Sequence, residues 1–189
     1  PGPLRVRLPA ATVGASSAEV TSPTADSNLT NNALTRNITA TAAANLALTA
    51  TTSASGTIAA GTPYNYILTV GNNGGPNDLP AGQAPKVTFN VPGGSSITSR
   101  PTGAGWPCQP SSASSYPLTA PTAGVPGALV TCSRDDSLAV GASFPSITVP
   151  AVANVTGTVT GTFTVNSNFA DGDTTDNTQS VHVQLGSGT

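Results

Sequence analysis

Charge is what this sequence lacks most. Six of its 189 residues are Lys or Arg and eight are Asp or Glu, which is 7% of the chain, against a usual share of about 25%. The net charge is −2, and no basic stripe is present to bind nucleic-acid phosphates. Long apolar runs are missing too, since none approaches the roughly 20 residues that a membrane-spanning helix needs. The composition predicts neither a nucleic-acid partner nor membrane insertion of this segment.

Side chains for catalysis are equally scarce. Glu19, seven aspartates and His182 are the whole supply for acid–base chemistry, and they are little clustered. Motifs of serine hydrolases, phosphate-binding loops, zinc peptidases and CxxC redox proteins are absent. Asp135 and Asp136 are adjacent carboxylates, but neighbours on a strand face opposite ways, which does not suit glycoside hydrolysis. The sequence predicts a protein that is not an enzyme and uses no cofactor.

What the chain does contain is alternation of apolar and polar residues. Residues 155–165 place Val, Phe and Gly on one face and Thr on the other, the pattern of a half-buried strand. Residues 64–70 and 86–91 repeat it, and turn signals rich in Gly, Pro and Asn separate such runs. Further short strands are predicted at 46–48, 147–149 (ended by Pro150) and 181–185. Seven or so short strands without a convincing helix predict an all-β fold, an antiparallel β-sandwich.

An internal repeat sets the domain organisation. Residues 18–40 recur without a gap as residues 163–185, at an offset of 145. The chain therefore opens with the closing part of one repeat, 1–42, continues through a complete one, 43–186, and ends in a short linker, 187–189. Repeats of this kind are typical of arrays of similar units. The identical pairs are Val20 and Val165, Ser22 and Ser167, Ala25 and Ala170, Asp26 and Asp171, Thr30 and Thr175, and Asn32 and Asn177.

An ordered set of motifs supports this organisation. The segments are NLALTATTSASGTIAAGTPYNYILTVGNNGGPND, GWPC, LVTCS, LAVGASFPSITVPAV and DGDTTDNTQSVHVQL, which together cover nearly all of 45–185. The set resembles the bacterial surface-protein repeat called domain of unknown function eleven. The resemblance implies an immunoglobulin-like sandwich that occurs in tandem arrays on the cell surface, and it implies no reaction.

Two cysteines, Cys108 and Cys132, enclose a loop rich in Ser, Pro and Gly. A low-charge, strand-rich chain fits an extracellular setting, where a disulfide persists. Two sulfurs and one histidine do not complete a tetrahedral zinc site, so we expect the cysteines to pair. Trp106 precedes Cys108 by two residues. The sequence leaves two roles open for its ring, packing against the disulfide or stacking on a sugar.

An aspartate-rich loop near the end of the repeat is a weak calcium candidate. Asp171, Asp173 and Asp176 cluster there, but the loop lacks the EF-hand pattern. The first repeat has lost most of these carboxylates, whereas Asp and Asn also close turns without a metal. The sequence therefore favours a side-chain-capped turn, with no metal.

The partial repeat at 1–42 directs the functional prediction. It supplies closing strands, but the strands that open its sandwich are missing from the chain, so we expect it to pack against another copy or a neighbouring repeat. Val20, Leu34 and Ile38 are the predicted assembly residues, although Arg36 aligns with the inward Val181. The predicted function is a structural module of an extracellular fibre or surface stalk, assembled head-to-tail. The alternative is an adhesin or a carbohydrate-binding module, with Trp106 and Tyr116 as platforms. A rival reading of 1–42 itself is a disordered remnant of processing.

Overall fold

A computed structural model describes residues 13–19, 21, 23–39, 42–111 and 115–187. Over these residues the chain is all-β, with two short 3₁₀ turns and no helix long and apolar enough to cross a membrane. It divides into two compact units, Pro1–Ala42 and Ala43–Thr189. The predicted all-β fold is confirmed.

The first unit is a β-hairpin, called the N-terminal hairpin below. Strand β1 (Val13–Glu19) pairs antiparallel with β2 (Ala33–Thr39), and a 3₁₀ turn at Leu29–Asn31 lies in the connection. The pairing runs from Val13 opposite Thr39 to Glu19 opposite Ala33.

The second unit is a β-sandwich, called the sandwich module below. Its strands in chain order are β3 (Leu46–Thr52), β4 (Thr57–Ala59), β5 (Pro63–Asn72), β6 (Lys86–Asn90), β7 (Ser95–Ile97), β8 (Cys108–Pro110), β9 (Leu118–Ala120), β10 (Leu129–Ser133), β11 (Ile147–Ala153), β12 (Gly157–Asn166) and β13 (Thr178–Gly186). One sheet has the order β4-β13-β12-β6-β10-β8 and the other β3-β5-β11-β7-β9. The expected antiparallel pairing holds throughout these sheets except between β13 and β4, which run parallel.

Alternation in the long strands builds the core between the sheets. On β12, Val159, Phe163 and Val165 are buried while the intervening threonines face out, as residues with a period of two must on a strand. The Phe163 ring lies at the centre of the core, with its centroid 5.0 Å from that of Tyr66 and 5.3 Å from that of Phe89. Close, tilted aromatic pairs of this kind add packing energy to the burial of their area.

The outer face of β12 and β13 is polar but uncharged. Four side-chain hydrogen bonds of 2.9–3.1 Å cross the two strands. His182 belongs to this ladder and is exposed, as its place between Val181 and Val183 predicts. The hydrogen-bonded pairs are Thr158–Gln184, Thr160–His182, Thr162–Ser180 and Thr164–Thr178.

Two strand predictions were wrong in detail. The described part of the sandwich module has eleven strands rather than seven or so, because its three-residue strands are too short to show a period. Strand β11 does not stop at Pro150 but continues to Ala153. The carbonyl of Pro150 accepts the Thr98 N–H at 3.0 Å, on the side where β7 has already ended. The proline nitrogen faces that same side, so no ladder bond needs its missing N–H.

Candidate assembly site

The N-terminal hairpin is a structural copy of the hairpin formed by β12 and β13. Val13 opposite Thr39 becomes Thr158 opposite Gln184 when 145 is added to each number, and the other six pairs of β1 and β2 shift in the same way. The structural repeat therefore begins by Val13, five residues before the sequence match that starts at residue 18. Sequence identity missed this beginning because register follows the apolar pattern and the turn geometry, which two hairpins can share without identical residues.

The turn between the strands is copied as well. Asn28 Oδ1 accepts the Thr30 N–H at 3.2 Å and its hydroxyl at 2.5 Å. Asp173 Oδ1 accepts the Thr175 N–H at 3.0 Å and its hydroxyl at 2.6 Å. Each of these side chains caps a 3₁₀ turn of three residues. An amide and a carboxylate thus close the same turn, because either oxygen accepts the same two bonds.

The two hairpins differ in what lies beside them. In the sandwich module β12 pairs with β6 on its other side and β13 pairs with β4. Among the described residues β1 and β2 form a sheet of two strands, so both outer edges of the hairpin are without a strand partner. Unpaired backbone of this kind is a template for another strand.

The predicted assembly residues have different fates in the structure. Leu34 lies on β2 and is 56% exposed. Ile38 takes its place in the strand opposite Gly14, but its side chain lies outside the described part, as does the whole of Val20. Leu34 is therefore the predicted assembly residue whose side chain the structure displays.

The cysteines form the expected disulfide. Cys108 on β8 and Cys132 on β10 are directly opposite in the antiparallel pair. Both are fully buried. The bond ties the edge strand β8 to the interior of its sheet.

Trp106 does not provide a sugar platform, because it is 4% exposed. Its indole N–H donates to the Pro145 carbonyl at 2.9 Å, and its ring meets Phe144 edge-on at 5.6 Å. The Arg134 guanidinium carbon lies 3.9 Å from the centroid of the Phe144 ring. The same guanidinium forms an ion pair with Asp136. Trp106 therefore belongs to the edge of the core, where the Arg134 guanidinium covers the Phe144 ring.

The carboxylates of Asp171 and Asp173 accept hydrogen bonds from residues of their own loop. Asp171 accepts the Asp173 N–H and the Asn177 side-chain amide, each at 3.1 Å. Hydrogen bonds from Thr175 hold the pKa of Asp173 below its ordinary value. Burial is the largest cause that raises the pKa of Asp176, and the negative charge of the neighbouring Asp173 is the second. No three acidic, histidine or cysteine side chains converge on a metal position within the described ranges.

The architecture of the module is therefore that of a two-sheet β-sandwich with its closing hairpin in place. No protein-family model matches the chain, and no curated protein sequence does either. Its fold is similar to the cohesin module of a family 33 glycoside hydrolase from Clostridium perfringens, with a TM-score of 0.50 at 12% identity. That match covers 76% of this chain and 100% of the cohesin chain, and at such low identity it supports the fold alone.

A weaker match is the C-terminal domain of the AgI/II polypeptide BspA from Streptococcus agalactiae. It has a TM-score of 0.35 and 11% identity, covering 81% of this chain and 53% of that one. This likeness is too low to carry an argument. The resemblance to domain of unknown function eleven stays a prediction.

Proposed function

We propose that this protein is a structural module of an extracellular fibre or cell-surface stalk, joined to its neighbour through the N-terminal hairpin. The observation that carries the proposal is the copied register, in which β1 and β2 repeat β12 and β13 pair by pair. In the sandwich module this hairpin closes a sheet between β6 and β4. In this proposal the N-terminal hairpin closes a sheet in the same way, in a neighbouring repeat or in another copy of the chain.

Strand addition supplies the physical basis of the junction. Main-chain hydrogen bonds along both outer edges give affinity, and the side chains of one face enter the partner's core. A head-to-tail contact that does not close on itself generates a filament. The exposed Leu34 is the apolar side chain that such a junction would cover.

Two further features favour a place outside the cell. The disulfide between Cys108 and Cys132 persists in an oxidising setting. The surface carries few charges, and hydroxyl and amide groups take their place on the outer face of β12 and β13. The predicted membership of a bacterial surface-repeat family agrees with both, and the proposal ascribes no reaction to the chain.

Deletion of residues 1–42 tests the proposal. The full chain is expected to form filaments or head-to-tail oligomers in electron microscopy and analytical ultracentrifugation, whereas the shortened chain stays a folded monomer. Assemblies that form equally well without residues 1–42 would show that the hairpin is no connector.

A point substitution with a matched control refines this test. Leu34→Asp places a charge on the face that would enter the partner, and we expect it to abolish assembly. Thr35→Asp adds the same charge one residue on, where the side chain faces the other way, and assembly should survive. Equal loss of assembly in both variants would show that assembly does not depend on the face that carries Leu34.

A further inference from the structure

A trough lies on the six-stranded sheet of the sandwich module, beside the first half of β12, and is called the β12 trough below. The outward threonines of β12 line one side of it, and Pro92, Gly93, Pro126 and Leu129 are among the residues that line the rest. Its volume is about 480 Å³, within the usual range of ligand sites. None of the residues that line it carries a charge.

The β12 trough exists because β6 is shorter than β12. Strand β12 begins at Gly157, but its pairing with β6 begins only at Phe163, six residues later. Beyond Asn90 the chain leaves this sheet and turns into β7, which belongs to the other sheet. A Cβ on Gly93 in that turn would lie 2.5 Å from the Val125 nitrogen, so the turn packs backbone to backbone against the opposite loop. The space beside β12 is therefore part of the fold.

The backbone of β12 offers unpaired hydrogen-bonding groups to this trough. The Val165 N–H donates to the Asn177 carbonyl at 2.9 Å, so the backbone groups of Val165 face β13. Successive residues of an antiparallel strand face its two sides in turn, so the N–H and C=O groups of Thr158 and Thr160 face away from β13. Both threonines are exposed and line the trough. Among the described residues no strand pairs with them on that side.

The side chains of β12 and β13 agree with this orientation. Thr158 bonds to Gln184 at 3.0 Å and Thr160 to His182 at 2.9 Å through their side chains. Side chains come closest at those antiparallel pairs whose backbones are not bonded to each other. The two threonines thus present alternating donors and acceptors, as the edge of a sheet does to an added strand.

We propose that the β12 trough binds an extended, uncharged peptide, which adds to β12 as a strand in line with β6. Its main chain pairs with Thr158 and Thr160, since strand addition draws its affinity from such bonds. A charged side chain in the trough would lose its hydration without gaining an opposite charge. Leu129, which is 38% exposed, gives an apolar side chain of the peptide a contact. The site lies within the sandwich module and is separate from the proposed role of the N-terminal hairpin.

A sugar suits the β12 trough less well than a strand. Phe89 is the aromatic residue that lines it, and Phe89 is 2% exposed, so its ring offers no face for stacking. A sugar ring also lacks the repeating N–H and C=O groups that would match the open edge of β12.

Amide hydrogen exchange of the full chain, followed by NMR, tests whether the edge is open. The amides of Thr158 and Thr160 are expected to exchange without protection, whereas those of Val159 and Gly161, which face β13, are protected. Protection of Thr158 and Thr160 in dilute protein without a ligand would overturn the inference, because the edge would already be occupied.

A synthetic heptapeptide of alternating threonine and alanine, blocked at both ends, is the probe for binding. It should bind saturably, shift the amide signals of Thr158 and Thr160 and slow their exchange. One control peptide has lysine at the alanine positions and another is methylated on its backbone nitrogens, and neither should bind. The inference is overturned if the probe does not bind, if either control binds equally well, or if maltohexaose, a neutral sugar, shifts these signals and the peptide does not.

A proline variant with a matched control places the peptide on the chain. Thr160→Pro removes an N–H that faces the trough and puts the proline ring there. It spares the bonds to β13, so the variant should fold and bind the probe about tenfold more weakly. Ser180→Pro is the control, because Ser180 lies opposite Thr162 on β13 and its N–H faces away from β12. Its binding should match that of the wild type.

Unweakened binding by a folded Thr160→Pro variant would overturn the site. Should that variant fail to fold, the methylated peptide and the exchange of the Thr158 and Thr160 amides in the wild-type chain decide the same question.

Discussion

At the scale of single residues, Gly161 shows how one core side chain dictates the residue two positions away. The Phe163 ring folds over the backbone at Gly161, so a Cβ there would lie 2.9 Å from the ring and displace it. Period-two alternation predicted that both residues face inward. It did not predict that one must be glycine because the other is a ring, since that depends on a rotamer which the sequence pattern does not contain.

We predict that Gly161→Ala lowers the free energy of unfolding by about 1–3 kcal/mol, the usual range for overpacking a core. In a Phe163→Ala background the same change should cost much less, because the ring that it meets is gone. A double-mutant cycle by chemical denaturation measures this coupling. Thr156→Ala, at an exposed loop position, serves as the control, and additive effects of the two core changes would disprove the steric explanation.

The two aspartates at the capped turn should affect stability with opposite dependence on pH. The pKa of Asp173 is lowered in the folded state, so its stabilisation is present at neutral pH and is lost as the pH falls below about 3.9 and through the folded value. The pKa of Asp176 is raised, so its ionisation disfavours the fold as the pH rises through the folded value.

Asp173→Ala should therefore lower the melting temperature at pH 7, with a smaller effect in acid. Asp176→Asn should raise it at pH 7 and have little effect below the ordinary carboxyl range. Asp135→Ala, at an exposed position, is the control for loss of a surface charge. Thermal melts from pH 3 to pH 7 test all three, and a stabilising Asp173→Ala would contradict the capping role.

At the scale of elements, length decides what a sequence reveals. Strands β5, β12 and β13 have nine or ten residues, and their alternation was enough to find them. Strands β4 and β7 have three residues, fewer than two periods, and depend on partners distant in the chain. The parallel pairing of β4 with β13 could not be read from local pattern, because it is set by tertiary packing.

The edge strand β8 is the element that the disulfide protects. We expect Cys108→Ala with Cys132→Ala to lower the free energy of unfolding by roughly 3.5 kcal/mol in the chain-entropy model. Urea denaturation of the double variant and the wild type measures the difference. The intact, unreduced protein should also weigh two daltons less than its sequence mass, and two free thiols in fresh material would contradict the bond.

At the scale of the whole molecule, the core of the sandwich module is drawn from its own residues. Every member of the core that the structure describes lies between Ala44 and Leu185. Deleting residues 1–42 should therefore leave the melting temperature of the module within a few degrees of the full chain, as followed by circular dichroism. A loss of cooperative melting would mean that the module is incomplete without the N-terminal hairpin.

The candidate site was partly predictable at this scale. The repeat at an offset of 145 identified the hairpin, and the role of Leu34 in assembly stays a prediction. The correspondence of Ala18 with Phe163 and of Leu34 with Gln179 emerged only from the strand register, because it depends on which residues pair across the hairpin.

The parallel pairing of β4 with β13 has a mechanical consequence. When the two ends of the module are pulled apart, β13 is drawn toward its carboxyl end. After β3 has separated from β5, β4 is drawn toward its amino end. Because the two strands are parallel, these forces are opposed along the strand direction, so the pairs from Gln184 opposite Thr57 to Gly186 opposite Ala59 are loaded together in shear and do not break one by one. A thread of such modules would stretch little under load and then yield one module at a time.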